Sequence, residues 1–147
     1  MEFHRILVPV SGTDVDEEAI RLACRLARRD KASILAVYII PIDRTLPLDA
    51  EMKGEVGTAE AVLDRMEGYA AEEGCTIETD LLQAREVAPT IVDEAVEREV
   101  DLILMGASYK TQFGQFSLGT TIPHVMKHAP CRVILYQHYT PVTEENQ

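Results

Sequence analysis

Arg5-Ile6-Leu7-Val8-Pro9-Val10 is a short, almost unbroken apolar run. Such a run suits a central parallel strand buried on both faces. Pro9 has no N–H to give a neighbouring strand, so it belongs near the end of this one. Ser11-Gly12-Thr13-Asp14 follows and reads as a turn leading to a helix N-cap. Asp14, Asp16, Glu17 and Glu18 crowd the start of the helix, and Arg25, Arg28, Arg29 and Lys31 crowd its end. Both clusters complement the helix dipole and read as solvated, capping charges. Ala19, Leu22, Ala23, Leu26 and Ala27 recur at helical spacing and form the expected buried stripe.

The same alternation continues outward. Ser33 to Ile40 is a second apolar strand, ended by Pro41. Residues 41–57, with Pro41, Pro47, Gly54 and Gly57, read as a long, mobile crossover. A second helix is expected over Ala59 to Glu73, with Ala59, Val62, Leu63, Met66 and Ala70 inward and Gly74 at its end. Thr76 to Leu82 alternates polar and apolar residues as an edge strand would. Ala88 to Glu99 is a third helix, with Pro89 in its first turn and Ile91, Val92, Ala95 and Val96 inward. Asp101 to Met105 repeats the buried-strand pattern. Gly106 to Leu118 is a polar, aromatic-bearing loop, Gly119 to His128 a fourth helix, and Arg132 to Tyr136 the last strand.

Strands alternating with helix-length crossovers define a single doubly wound α/β domain over residues 1–136, followed by a polar tail over 137–147. The expected fold is a five-stranded, mainly parallel sheet of order 3-2-1-4-5 with helices on both faces. In such folds ligands bind beyond the carboxyl ends of the strands, where the strand order reverses. Pro9 to Asp14 and Gly106 to Thr121 leave the central strands at that place.

Composition narrows the function. With 14 Lys+Arg against 25 Asp+Glu the net charge is −11, which argues against a nucleic-acid partner. At 46% apolar and 27% charged residues the chain is globular rather than disordered. Its longest apolar-rich run, Ala32 to Ile42, is far short of the roughly 18 residues a membrane span needs. The N-terminus lacks a signal-peptide pattern. Cys24, Cys75 and Cys131 are odd in number and contain no Cys-x-x-Cys pair, so neither a zinc ribbon nor a disulfide scaffold is expected. A reducing cytoplasmic compartment fits. His124 and His128 stand at i, i+4 but have no evident third metal ligand. No Gly-x-Ser-x-Gly elbow surrounds Ser108, and no paired carboxylates converge on the Gly106–Thr121 loop, so no catalytic residue is assigned.

The most informative stretch is Gly106-Ala107-Ser108-Tyr109, nine further residues, then Gly119-Thr120. Gly119, Thr120 and Thr121 open a helix whose N–H groups can face an anion. A glycine turn with a threonine cap would have the same sequence.

Several motifs resemble the universal stress protein family. Ile6-Leu7-Val8-Pro9-Val10 with its small-residue turn is similar to that family's opening strand, and Asp101 to Gly106 to its fourth. Leu118-Gly119-Thr120 and His128-Ala129-Pro130-Cys131-Arg132-Val133 resemble its closing helix and strand. The likeness runs from about residue 3 to 136. It implies a regulatory protein that binds ATP or another adenine nucleotide, with at most weak hydrolysis. Pro9, Ser11 and Ile39 would line the adenine side. Gly106, beside Met105, would approach the ribose, and Gly119, Thr120 and Thr121 would hold phosphates. Two residues depart from the family's pattern. Tyr109 replaces a glycine, and either blocks the pocket or lids it, and Ser11 replaces an aspartate. Lys110 is the only Lys or Arg from Asp101 to Met126, so a triphosphate is expected to need Mg²⁺.

The apolar last strand would lie at a sheet edge, and pairing with a second copy would give a homodimer. A nucleotide-free dimeric module acting on a protein partner such as a membrane transporter is the second reading. A third is an adenylating enzyme of the ATP pyrophosphatase type, from the partial likeness of Ser11-Gly12-Thr13-Asp14 to that loop.

Overall fold

The computed structural model describes residues 1–107, 110–112, 115–117 and 119–137. Its elements in chain order are β1 (Arg5–Val10), α1 (Val15–Asp30), β2 (Ser33–Pro41), α2 (Lys53–Glu72), β3 (Glu78–Ala84), α3 (Val87–Glu97) and β4 (Leu102–Ala107). A short hairpin, β5 (Lys110–Gln112) and β6 (Gln115–Ser117), comes next, then α4 (Thr121–His128) and β7 (Arg132–Gln137). The main sheet has the order β3-β2-β1-β4-β7 with every neighbouring pair parallel, which is the expected 3-2-1-4-5 arrangement of its five strands.

Strand pleating divides the core in two. Ile6 and Val8 of β1, Ile34 and Ala36 of β2, and Leu102 and Leu104 of β4 face α1 and α2. Leu7, Leu35, Val37, Ile103 and Met105 face α3 and α4. Successive side chains of a strand point to opposite faces, so a strand covered by helices on both sides must be apolar throughout. That is why the first and fourth of the five strands are legible as unbroken runs.

Beyond β1 the chain winds one way, through β2 to β3, and then returns to the other side of β1 to form β4. β1 pairs with β2 over six residues, but with β4 only at Ile6–Leu102 and Leu7–Ile103. The carboxyl ends of β1 and β4 therefore part, and a crevice opens between them.

Several boundaries differ from the sequence reading. Helix α2 begins at Lys53, six residues earlier than expected, and takes in Gly54 and Gly57. Met52 and Val56 pack there on Ile40, Ile42 and Ala59, so tertiary burial overrides weak local propensity. The crossover that remains is bonded to the end of β3. The Gln83 amide donates to the Leu48 and Ala50 carbonyls, and Arg85 donates to those of Asp43 and Leu46.

The buried stripe of α1 centres on Ala19, Ile20, Ala23, Cys24 and Ala27, with Leu22 and Leu26 half-buried beside it. Burial pushes the Cys24 thiol up to about 12, in keeping with a core residue. On α3, Ile91 and Ala95 are inward as expected. Val96 is 60% exposed instead, and Glu94 is buried and faces Arg98. The segment read as a plain loop after Met105 continues β4 through Gly106 and Ala107 and then forms the β5–β6 pair. The last strand takes in Gln137, which the sequence reading had placed in the tail.

Candidate functional site

The crevice between β1 and β4 holds a cavity of about 320 Å³. Three helix starts converge on it: Asp16 of α1 with Thr13 of the turn before it, Val87 and Ile91 of α3, and Thr121 and Ile122 of α4 with Thr120 at its cap. The strands contribute Pro9 and Val10 from β1 and Met105 and Gly106 from β4. Ser11 and Gly119 complete the wall.

Seven of the nine residues singled out from sequence thus surround one cavity: Pro9, Ser11, Met105, Gly106, Gly119, Thr120 and Thr121. Ile39 does not. It lies on β2, one strand away from the crevice, packed with Leu7, Val37 and Met105 at 7% exposure. Tyr109 lies outside the described residues.

Gly106 has a structural duty that its sequence context did not reveal. A Cβ at this position would sit 2.7 and 2.9 Å from the two methyl groups of Val15, the first residue of α1. The glycine lets the start of α1 press against β4 and thereby sets one wall of the cavity. Gly119 differs: its φ is +73° and no atom of the described residues would crowd a Cβ, so it is required by the turn into α4.

Asp16 is the residue the sequence reading misplaced. In sequence it reads as one of several solvated charges, yet only 3% of it is exposed and it lines the cavity. Its Oδ2 accepts the N–H groups of Ser11 (3.0 Å), Gly12 (2.7 Å) and Thr13 (3.1 Å), while the Thr13 hydroxyl donates to Oδ1 at 3.3 Å. The expected cap at Asp14 makes no side-chain bond to the helix. The signal was present as Thr13-Asp14-Val15-Asp16, a capping-box spacing in which the acidic side chain reaches back to the preceding turn. Burial pushes the Asp16 carboxyl up from its ordinary range, against the pull of the N–H donors. Val10, Thr13, Val87, Ile91 and Ile122 also line the cavity without having been singled out. Apolar residues at strand and helix ends look in sequence like ordinary core.

Among the described residues no Lys, Arg or His lines this cavity, and Asp16 is its one formally charged residue. An adjoining hollow holds Glu86, Thr120, Thr121 and His124. The rings of His124 and His128 pack at a tilt of 38° with centroids 4.4 Å apart, and no group of three His, Cys, Asp or Glu placed to hold a metal occurs among the described residues. Within α4, Thr121 and Ile122 have no intrahelical acceptor for their N–H groups, and Pro123 has no N–H. This helix start can therefore offer two backbone donors and two threonine hydroxyls to a ligand.

A parallel sheet of this order with a cavity at its switch point defines a Rossmann-like α/β domain. The model of the universal stress protein family matches residues 2–137, and the chain belongs to that family. A universal stress protein of Methanocaldococcus jannaschii is 30% identical over 139 residues, spanning 90% of this chain and 81% of the relative. Among solved structures, UspA from Lactobacillus plantarum is 25% identical with a TM-score of 0.75, covering 92% of this chain and 99% of its own. A universal stress protein from Archaeoglobus fulgidus, solved in complex with dAMP, is 23% identical with a TM-score of 0.72, covering 92% and 98%. No helix among the described residues is long and apolar enough to cross a membrane.

Proposed function

We propose that this chain is a regulatory protein that binds an adenine nucleotide in the cavity between β1 and β4, with at most weak hydrolysis. The observation that carries this is the two-sided wall of that cavity. Pro9, Val10, Ile91 and Met105 offer an apolar side to a flat base, and the start of α4 offers N–H and hydroxyl donors to a phosphate. The dAMP complex of the Archaeoglobus fulgidus relative supports the ligand class. A volume of about 320 Å³ is at the small end of ligand sites, roughly 300–1,000 Å³. A mononucleotide fits such a space, and the outer phosphates of ATP would extend beyond it. With no cation in the described wall, those phosphates call for Mg²⁺.

Binding would act through partners. β7 lies at the sheet edge, paired with β4 on one side, and a second copy pairing with it would form a homodimer. The nucleotide-free interaction module remains the second reading, favoured by one observation: the charge in the cavity wall is a carboxylate. The adenylating reading is not proposed, because the N–H groups such a loop would give to pyrophosphate are bonded to Asp16.

The test is a thermal-shift titration with AMP, ADP and ATP, each with Mg²⁺ and with EDTA. A ligand at about 100 times its Kd adds about 2.7 kcal/mol of stability. AMP is expected to stabilise with or without EDTA, ATP only with Mg²⁺, and Thr121→Val to weaken both. No shift at millimolar nucleotide would overturn the reading in favour of the interaction module.

A further inference from the structure

The turn between β1 and α1 has the form of an anion site. Ser11, Gly12 and Thr13 aim three consecutive N–H groups at one point, and Gly12 adopts the left-handed φ of +88° that brings them together. A phosphate oxygen would satisfy such a nest. Here the point is taken by the protein's own Asp16 Oδ2. A helix cap would need the Thr13 N–H alone. The bonds to Ser11 and Gly12, which precede the helix, exceed that need.

The carboxylate is nearly inaccessible to solvent, so its charge is poorly screened, yet it lines the cavity. No Lys, Arg or His among the described lining residues offsets it. At the opposite wall, the N–H groups of Thr121 and Ile122 and the hydroxyls of Thr120 and Thr121 face no buried carboxylate in the cavity lining, and the Glu86 that shares the adjoining hollow with Thr120 and Thr121 is exposed, so solvent screens its charge.

We propose that Asp16 is a specificity-determining residue: its carboxylate fills the anion nest of the β1–α1 turn, excludes phosphate from it, and so holds an anionic ligand in one orientation with its phosphate over the start of α4. The orientation rests on the nucleotide reading, whereas the exclusion of phosphate from the turn does not.

The experiment titrates inorganic phosphate into the ¹⁵N-labelled full chain and follows the amide signals of Ser11, Gly12 and Thr13. In the wild type these three are expected to show no saturable shift. In Asp16→Ala they are expected to shift together and saturate. Asp16→Ser, whose small hydroxyl can still cap the helix, is the second variant should the alanine variant fail to fold, and the same response is expected. A saturable response in the wild type, or none in the folded variant, overturns the proposal. In parallel, the ratio of AMP affinity to adenosine affinity is expected to rise at least threefold in the variant, and an unchanged ratio overturns the orientation. If neither protein binds AMP or adenosine, the nucleotide reading fails, while the phosphate titration still decides the role of Asp16.

Discussion

Substituting Gly106 by alanine tests whether this glycine exists for packing. The added Cβ would lie 2.7 Å from one Val15 methyl and 2.9 Å from the other, against the 3.4 Å at which ordinary contact begins. The closer methyl must give way by 3.4 − 2.7 = 0.7 Å. Val15 is branched at Cβ and 2% exposed, so it has no free rotamer to retreat into. Overpacking of this kind costs about 1–3 kcal/mol. Val15→Ala alone removes two buried methyl groups, a loss of about 1.6 kcal/mol at ~0.8 each, before any cavity cost. In the double variant the alanine methyl at 106 occupies space that Val15 has vacated. Its loss is therefore expected to fall short of the summed single losses by about 1–2 kcal/mol. Urea unfolding of the four proteins measures this, with slopes of about 1–3 kcal/mol per molar for a domain of this size. Additivity to within about 0.3–0.5 kcal/mol would refute the reasoning and return Gly106 to a purely ligand-facing role.

Two further outcomes follow from single contacts. The Arg29 guanidinium, with the Phe3 N–H, holds the Asp30 carboxyl down to about 2 from an ordinary 3.8. A depressed acid contributes stability above its unfolded pKa and loses it as pH falls toward the folded one. Thermal midpoints of Asp30→Asn should therefore lie below wild type near neutrality and converge on it between about pH 4 and 2, and a gap independent of pH would sink this account. At Gly119, alanine meets no crowding from the described residues but must adopt φ near +73°, a cost of about 1–2 kcal/mol in urea unfolding. Asparagine, which tolerates that region better, should cost less, and equal stability of all three proteins would contradict a left-handed turn there.

If Asp16 fills the β1–α1 nest, the two ends of the cavity are unequal by construction. One end carries a buried negative charge, and the other is lined by polar, uncharged residues with only the exposed Glu86 in the adjoining hollow. That inequality sorts ligands before any affinity is considered. It favours one phosphate-bearing end and disfavours molecules anionic at both. It also separates this chain from loops of the adenylating kind, which share the Ser-Gly start but need their N–H groups unbound.

What the sequence determined by itself was the order of the main-sheet strands and their helices, though not the β5–β6 pair, and the place of the cavity. Apolar runs at Arg5–Val10 and Leu102–Met105 can be buried on both faces only at the centre of a parallel sheet. Centrality of those two strands puts the switch point, and with it the crevice, between them. The glycine and threonines at 119–121 marked the second wall because a helix must start there. Tertiary structure decided what each residue does in that setting. Asp16 is one of several acids in its stretch of sequence, and only the fold of the turn brings three N–H groups onto it and closes the core over it. Gly106 looks like any glycine after a strand until Val15, 91 residues earlier, is packed against it. Ile39 matches its neighbours in sequence, but it does not line the described cavity, because its strand lies on the other side of β1 from β4. The difference is physical: periodicity and charge along a chain report which face is buried, whereas a site is made by which buried faces meet.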